Sequence, residues 1–477
     1  MIFISYHRRV SAVVMVVGIF AGFQMCINYI LQRRFLIFDN RVLASLTEWK
    51  GIHAQQSPFN DKLNQIKTFE AALPLQIVSN INEKEEGNLK YIDSGCDKFS
   101  RAFEVAEGTD RQQYVVFQCR QIDDCGGWGD RLAGLAGASL LALITRRKLR
   151  INWPGLEKVT RPNIVNWTYS PDALNISVED QMYLNQHAVR NFAPRKIVYP
   201  DSKRTDIGIF NTLNDNKYWS DVLNGRYNFS SHRVIFFHGN RGASTKALGL
   251  LSRDYGVMSD YFSNGIYSST QRTAGCYYCI WRSLLIPSKQ LLAVELKMTN
   301  SRSITVGNLL SQLSDPQVCS FGFSKRFGDG AAKSASLQFP HRLPDCFLNL
   351  TRTLCGAGRA RVLAFVSNSV RANAEAGARF AGAFDEVLAS AEEAPETHIN
   401  AKAFDGQYAD VGPVVSRAME LAAADWFTMT AVGTLLVCKG SGFSSSAALY
   451  SRGHQALIDS KTCGWLHPDH LVVSRFN

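Results

Sequence analysis

Tyr114-Val-Val-Phe-Gln118 leads through Cys125-Gly-Gly-Trp-Gly-Asp-Arg131 into an Ala- and Leu-rich stretch, Leu132 to Arg147, and then into Lys148-Leu-Arg-Ile-Asn-Trp153 and Pro154. The first run is short and apolar, as a buried strand is. Gly126, Gly127 and Gly129 crowd the turn after it. The third stretch repeats its apolar residues at helical spacing, and the fourth reads as a strand stopped by proline. Strand, glycine turn, helix and strand make the βαβ unit of a doubly wound α/β sheet.

The second half repeats the style. Leu291–Lys297 and Val362–Val366 read as strands, the latter followed by a helical stretch, Ala372–Phe380. Val415, Ala418, Met419 and Ala422 fall at i, i+3, i+4 and i+7 and predict a helix over Val415–Met429. Leu435–Cys438 reads as a short buried strand, followed by a Gly/Ser loop and the helix Ser446–Tyr450. Two α/β halves, 111–288 and 289–477, with a linker near Asp260–Pro287, are expected to face a cleft. Ligands of such folds sit at the carboxyl ends of strands, beside helix N-termini.

Two loops carry the chemistry. The glycines of the first allow close backbone approach, and the turn opens a helix whose free N–H groups favour an anion. Gly127 and Gly129 are therefore candidate ligand contacts. Asp130 is placed to cap the helix, and Arg131 either points into the cleft or pairs with Asp123 or Asp124. The pattern is neither Gly-x-Gly-x-x-Gly nor a P-loop, so a tight structural turn is the competing reading. The second loop, Lys439-Gly-Ser-Gly-Phe-Ser-Ser-Ser446, offers a cation, hydroxyls and amides before a helix. Lys439, Ser441, Gly442, Phe443 and Ser444 thus suit a diphosphate; the alternative is a flexible turn with N-capping serines.

The 477 residues suit two domains plus attachments. Residues 1–9, which include His7, Arg8 and Arg9, read as a cytosolic tail. The uncharged run Val10–Leu31 reaches the roughly 20 apolar residues that span a bilayer. It reads as a signal anchor, with a cleaved signal peptide as the alternative. Residues 32–110 are polar and irregular and read as a stem, unless Tyr91, Cys96 and Phe99 already pack in the globular part. Asn-X-Ser/Thr acceptors at Asn166, Asn175, Asn228 and Asn349, and ten cysteines beyond the apolar run, point to an oxidising lumen. Cys276 and Cys279 lack a second pair at zinc spacing, so disulfides are expected of them. The net charge of +11 suits an anionic ligand or a membrane surface. Lys and Arg are scattered and no nucleic-acid motif appears, which argues against nucleic acid.

With these residues in view, a family resemblance emerges. Gly126 to Ala136, continuing to Leu143 and Arg146–Trp153, resembles the first nucleotide-sugar segment of the superfamily of α1,2-, α1,6- and protein O-fucosyltransferases. Asp425-Trp-Phe427, with Leu435 through Leu449, is similar to its final motif, and Gly275–Pro287 to its linker segment. The resemblance implies a GT-B fold of two Rossmann-type domains, with inverting transfer of fucose from the donor substrate GDP-fucose to a glycan or glycoprotein. It also implies no further cofactor, no metal, and a single-pass type II anchor in the Golgi or ER membrane with a lumenal catalytic domain. Where the family carries His-x-Arg, this chain has Glu295-Leu-Lys297, and Gly433 stands where an Asp is usual. Lysine supplies charge without a bidentate fork, so Lys297 is expected at the donor. Asp130 and Glu295 are the acids nominated for catalysis. Glu295 either pairs with Lys297 or reads a base edge. A same-fold enzyme using another nucleotide sugar and an inactive glycan-binding or scaffold relative are the alternatives.

Overall fold

The computed structural model describes residues 96–120, 125–186, 206–212, 216–227, 229–239, 248, 272–325, 343–392, 412–438, 441–451 and 456–466. The Val10–Leu31 run lies outside them, and no helix among the described residues is long and apolar enough to cross a membrane. The chain divides into two compact units, Met1–Glu70 and Ala71–Asn477, and everything below belongs to the second.

Helix α1 (Asp97–Glu107) buries Phe99 and Phe103, and a disulfide joins Cys96 to Cys279. The folded body therefore begins before residue 110, inside the segment expected to be stem. Strand β1 (Tyr114–Gln118), helix α2 (Trp128–Thr145) and strand β2 (Lys148–Asn152) follow as the sequence pattern predicts. Next come α3 (Leu156–Val159), β3 (Thr160–Pro162), α4 (Val178–Gln186), β4 (Ile207–Thr212), α5 (Asn216–Leu223) and β5 (Val234–Gly239). The order β2-β1-β5-β4, all parallel, makes the first sheet. Helix α2 lies directly on it: a side chain at Gly134 would collide with the Gly239 carbonyl.

The expected linker is helix α6 (Arg272–Leu284), buried through Cys276, Tyr277, Cys279 and Trp281, followed by β6 (Leu285–Pro287), which pairs with β3. Leu291–Lys297 is not one strand. Ser288 Oγ accepts from Leu291 N and starts the short helix α7 (Lys289–Ala293), which leaves β7 (Glu295–Lys297) as a stub antiparallel to β8 (Ser303–Thr305). A serine N-cap outweighs the apolar run.

Helix α8 (Val306–Ser314), β9 (Val318–Lys325), α9 (Leu343–Leu354), β10 (Ala360–Ser367), α10 (Val370–Phe380) and β11 (Glu386–Ala389) lead to the long α11 (Gly412–Ala431). Strand β12 (Thr434–Val437), α12 (Gly442–Tyr450) and β13 (Ala456–Asp459) end the described chain. The second sheet, β11-β10-β9-β12-β13, is also all parallel. Central strands of such sheets are covered on both faces, which is why β1 and β12 are buried end to end. One hydrophobic core runs through both halves, from Phe117 and Leu135 to Trp426 and Leu435.

Candidate functional site

Between β1 and α2 the backbone turns at Gly126, whose φ of +73° favours glycine. Gly127 caps α2, and its N–H donates to Asp130 Oδ2 at 3.3 Å. Asp130 is thus engaged in starting the helix. Arg131 is buried; its Nε donates to Gly126 O at 3.2 Å and its guanidinium lies 5.1 Å from the Trp153 ring centroid. It braces the turn from beneath. Asp123 and Asp124, the partners considered for it, lie outside the described residues, as does Lys439.

The second turn is shorter than expected, because α12 already begins at Gly442. Ser441 Oγ accepts from Ser444 N at 3.4 Å, so the serine caps the helix. Gly442 is buried and Phe443 half-buried. Ser444 Oγ and the indole N–H groups of Trp128 and Trp153 are buried without a hydrogen-bond partner.

These two turns, one from each sheet, touch. A Cβ at Gly129 would sit 2.5 Å from Gly442 O and 2.9 Å from Phe443 N. A glycine at 129 permits that approach. Beside it, Trp128 stands 5.1 Å from Trp153 and 6.1 Å from Trp426, whose Nε1 donates to Ser446 Oγ at 3.0 Å. The first turns of α2 and α12 therefore present their free N–H groups side by side.

Glu295 and Lys297 lie elsewhere. Both are exposed on one face of β7 with Leu296 buried on the other, and they form no ion pair with each other. Met298 bridges to Ser390 just past β11, the far edge of the second sheet from β12. β10 and β9 thus separate β11 from β12, which are three strand spacings, roughly 14 Å, apart. Main-chain groups hold the stub: Lys297 N donates to Glu392 Oε1 at 3.1 Å, and Arg417 donates to Glu295 O at 3.1 Å and to Glu392 Oε2 at 2.5 Å.

Sequence reasoning did not single out Glu392, Arg417 or Asp425 as individual residues. Asp425 is half-buried on α11, one residue before Trp426. Burial, followed by the Glu392 charge, pushes its carboxyl up to about 7. Its signal was present in the quoted Asp425-Trp-Phe427 segment. Outside the site, Asn166, Asn175 and Asn349 are exposed and Asn228 lies outside the described residues. Disulfides join Cys96–Cys279, Cys119–Cys125, Cys319–Cys355 and Cys346–Cys463, while Cys276 and Cys438 are in none. Cys279 thus pairs across the molecule rather than within Cys-x-x-Cys.

No protein-family model matches the chain, and no curated protein sequence matches it either. Among solved structures it is similar to a mutant of Arabidopsis thaliana FUT1 in complex with GDP, at 12% identity and TM-score 0.45, over 84% of this chain and 79% of that one. It is also similar to the α-1,6-fucosyltransferase NodZ soaked with GDP-fucose, at 14% identity and TM-score 0.40, over 73% of this chain and 94% of that one. NodZ from Bradyrhizobium gives 14% identity and TM-score 0.38, over 73% and 94%.

Proposed function

We propose that the chain is a nucleotide-sugar-dependent glycosyltransferase, and that it transfers fucose from GDP-fucose to a glycan or glycoprotein. One observation carries this reading: the first turns of α2 and α12 meet at Gly129 and Gly442. Each helix N-terminus carries about half a positive charge. Two such ends in contact repel one another unless an anion lies over both, and the phosphates of a nucleotide are anions that strand-to-helix turns bind. Gly129, Gly442 and Phe443 supply amides there and Ser441 and Ser444 hydroxyls, with Lys439 as the cation next in sequence, while the Gly127 N–H is held by Asp130. The likeness of both turns to the fucosyltransferase motifs supports fucose as the sugar.

Thermal stabilisation of the protein by GDP, compared with UDP, ADP and CMP, tests the proposal. GDP is expected to raise Tm the most. Equal or absent shifts overturn the donor assignment. The second reading, an inactive relative, draws on Glu295 and Lys297, since the exposed β7 stub stands away from the α12 turn. It expects GDP binding without turnover.

The lumenal placement belongs to the same proposal. It rests on the Val10–Leu31 run, the exposed Asn166, Asn175 and Asn349, and the paired cysteines.

A further inference from the structure

The sequence holds two asparagine–glycine pairs, Asn224-Gly225 and Asn264-Gly265, and the first lies among the described residues. It forms the turn that ends α5 and leads toward β5. Asn224, Gly225 and Arg226 are all exposed. Gly225 has a φ of +68°, which favours glycine, and a Cβ built there would meet nothing within 4 Å. The main chain between the two residues is therefore open to solvent on its side-chain side.

The bonds that hold this turn are those of a helix end. Asn224 N donates to Ser220 O at 2.9 Å and Gly225 N to Val222 O at 3.1 Å, while Asn224 Nδ2 donates to Ser220 Oγ at 3.3 Å. Helix ends fray, and solvent-exposed backbone bonds with few apolar contacts open at little free-energy cost. Once the Gly225 N–H leaves Val222 O, its nitrogen is a nucleophile placed to close a five-membered ring on Asn224 Cγ. No Cβ at position 225 shields it.

We propose that Asn224-Gly225 is a site of spontaneous deamidation in the folded chain. Gly225 N gives its proton to hydroxide and bonds to Asn224 Cγ. The Cγ–Nδ2 bond breaks, and Nδ2 takes a proton from water and leaves as ammonia. Water then opens the succinimide at one of two C–N bonds. Breaking the bond to Cγ gives aspartate; breaking the bond to the main-chain carbonyl carbon gives isoaspartate, with the chain running through the side chain. One water is consumed, one ammonia is released, and nothing is oxidised or reduced. The new carboxylate stands three residues after Asp221, whose Oδ1 accepts from Arg226 Nη1 at 2.9 Å. Isoaspartate also adds a main-chain carbon just before Tyr227, whose ring lies 6.4 Å from that of Phe210. None of this depends on the glycosyltransferase reading.

The test is incubation of the full chain at mildly alkaline pH, followed by peptide mass spectrometry, with the same chain in denaturant as reference. Asn224 is expected to convert in the folded chain within about ten-fold of the denatured rate, which allows about 1.4 kcal/mol for opening the turn. Isoaspartate should be among the products. Asn308, also exposed but followed by Leu309, should stay an amide over the same time. Asn224→Gln, whose longer side chain would have to close a larger ring, should show no conversion at 224 and should melt as the wild type does. A folded-state rate below that bound overturns the site. So does conversion of Asn308 at the same rate, and so does aspartate as the sole product, which would mean direct hydrolysis by water.

Discussion

At the residue scale the contact between Gly129 and Gly442 decides most. A methyl at Gly129 meets main chain, which cannot rotate away, so Gly129→Ala must push α2 and α12 apart. Overpacking of this kind costs about 1–3 kcal/mol. The variant should melt earlier by calorimetry and lose its response to GDP together. A variant that melts earlier yet responds to GDP normally would separate the contact from the anion site. Asp425 offers a different measurement. Its folded-state carboxyl titrates at about 7 against an ordinary 3.8, so between those values the folded chain holds more proton than the unfolded one. Stability from this group is therefore lost as pH rises through that window. Asp425→Asn carries no such titration. Its Tm should exceed that of the wild type by a margin that widens with pH up to about 7 and then levels off. A margin independent of pH would refute the assignment.

At the scale of elements, α12 is where a cap, a sheet and a candidate ligand meet. Ser441 closes the helix start, and an N-cap serine is worth about 1 kcal/mol. Ser441→Leu should lower stability by about that much and abolish donor binding, read by calorimetric titration with GDP. Donor affinity that survives would move the diphosphate off this helix. The β1–α2–β2 unit was legible in kind, its strands nearly to the residue, while α2 starts at Trp128, inside the stretch read as the glycine turn. The α12 turn was legible in kind but not in extent: Gly442 and Phe443, which look like loop, already lie in the helix, since the Ser441 cap sits before them. Glu295 and Lys297 were correctly placed on one face. Their distance from α12 was not legible, because it depends on the order of strands in the second sheet, which no local pattern encodes. Strands β4, β5 and β9 escaped notice for a related reason: short apolar runs read alike as buried strand or helix.

For the molecule as a whole, the cysteines report on where it matures. Eight of the ten beyond the apolar run are joined, and the remaining two differ in access: Cys438 is half-buried at the end of β12 and Cys276 is buried in α6. Alkylation without reductant should label Cys438 first and Cys276 only on unfolding, as peptide mass spectrometry can read. Rapid labelling of many cysteines in the folded protein would remove the oxidising-compartment argument. The Cys96–Cys279 bond has a mechanical consequence. The two cysteines are 183 positions apart, and the covalent ring they close contains every strand of the first sheet. Tension applied from the amino end enters at Cys96 and crosses two sulfurs directly to α6. The ring's roughly 600 Å of contour length stays slack and unloaded. If the amino end is anchored, the covalent path of a pull on the body runs through α6 and bypasses the β1–α2 segment.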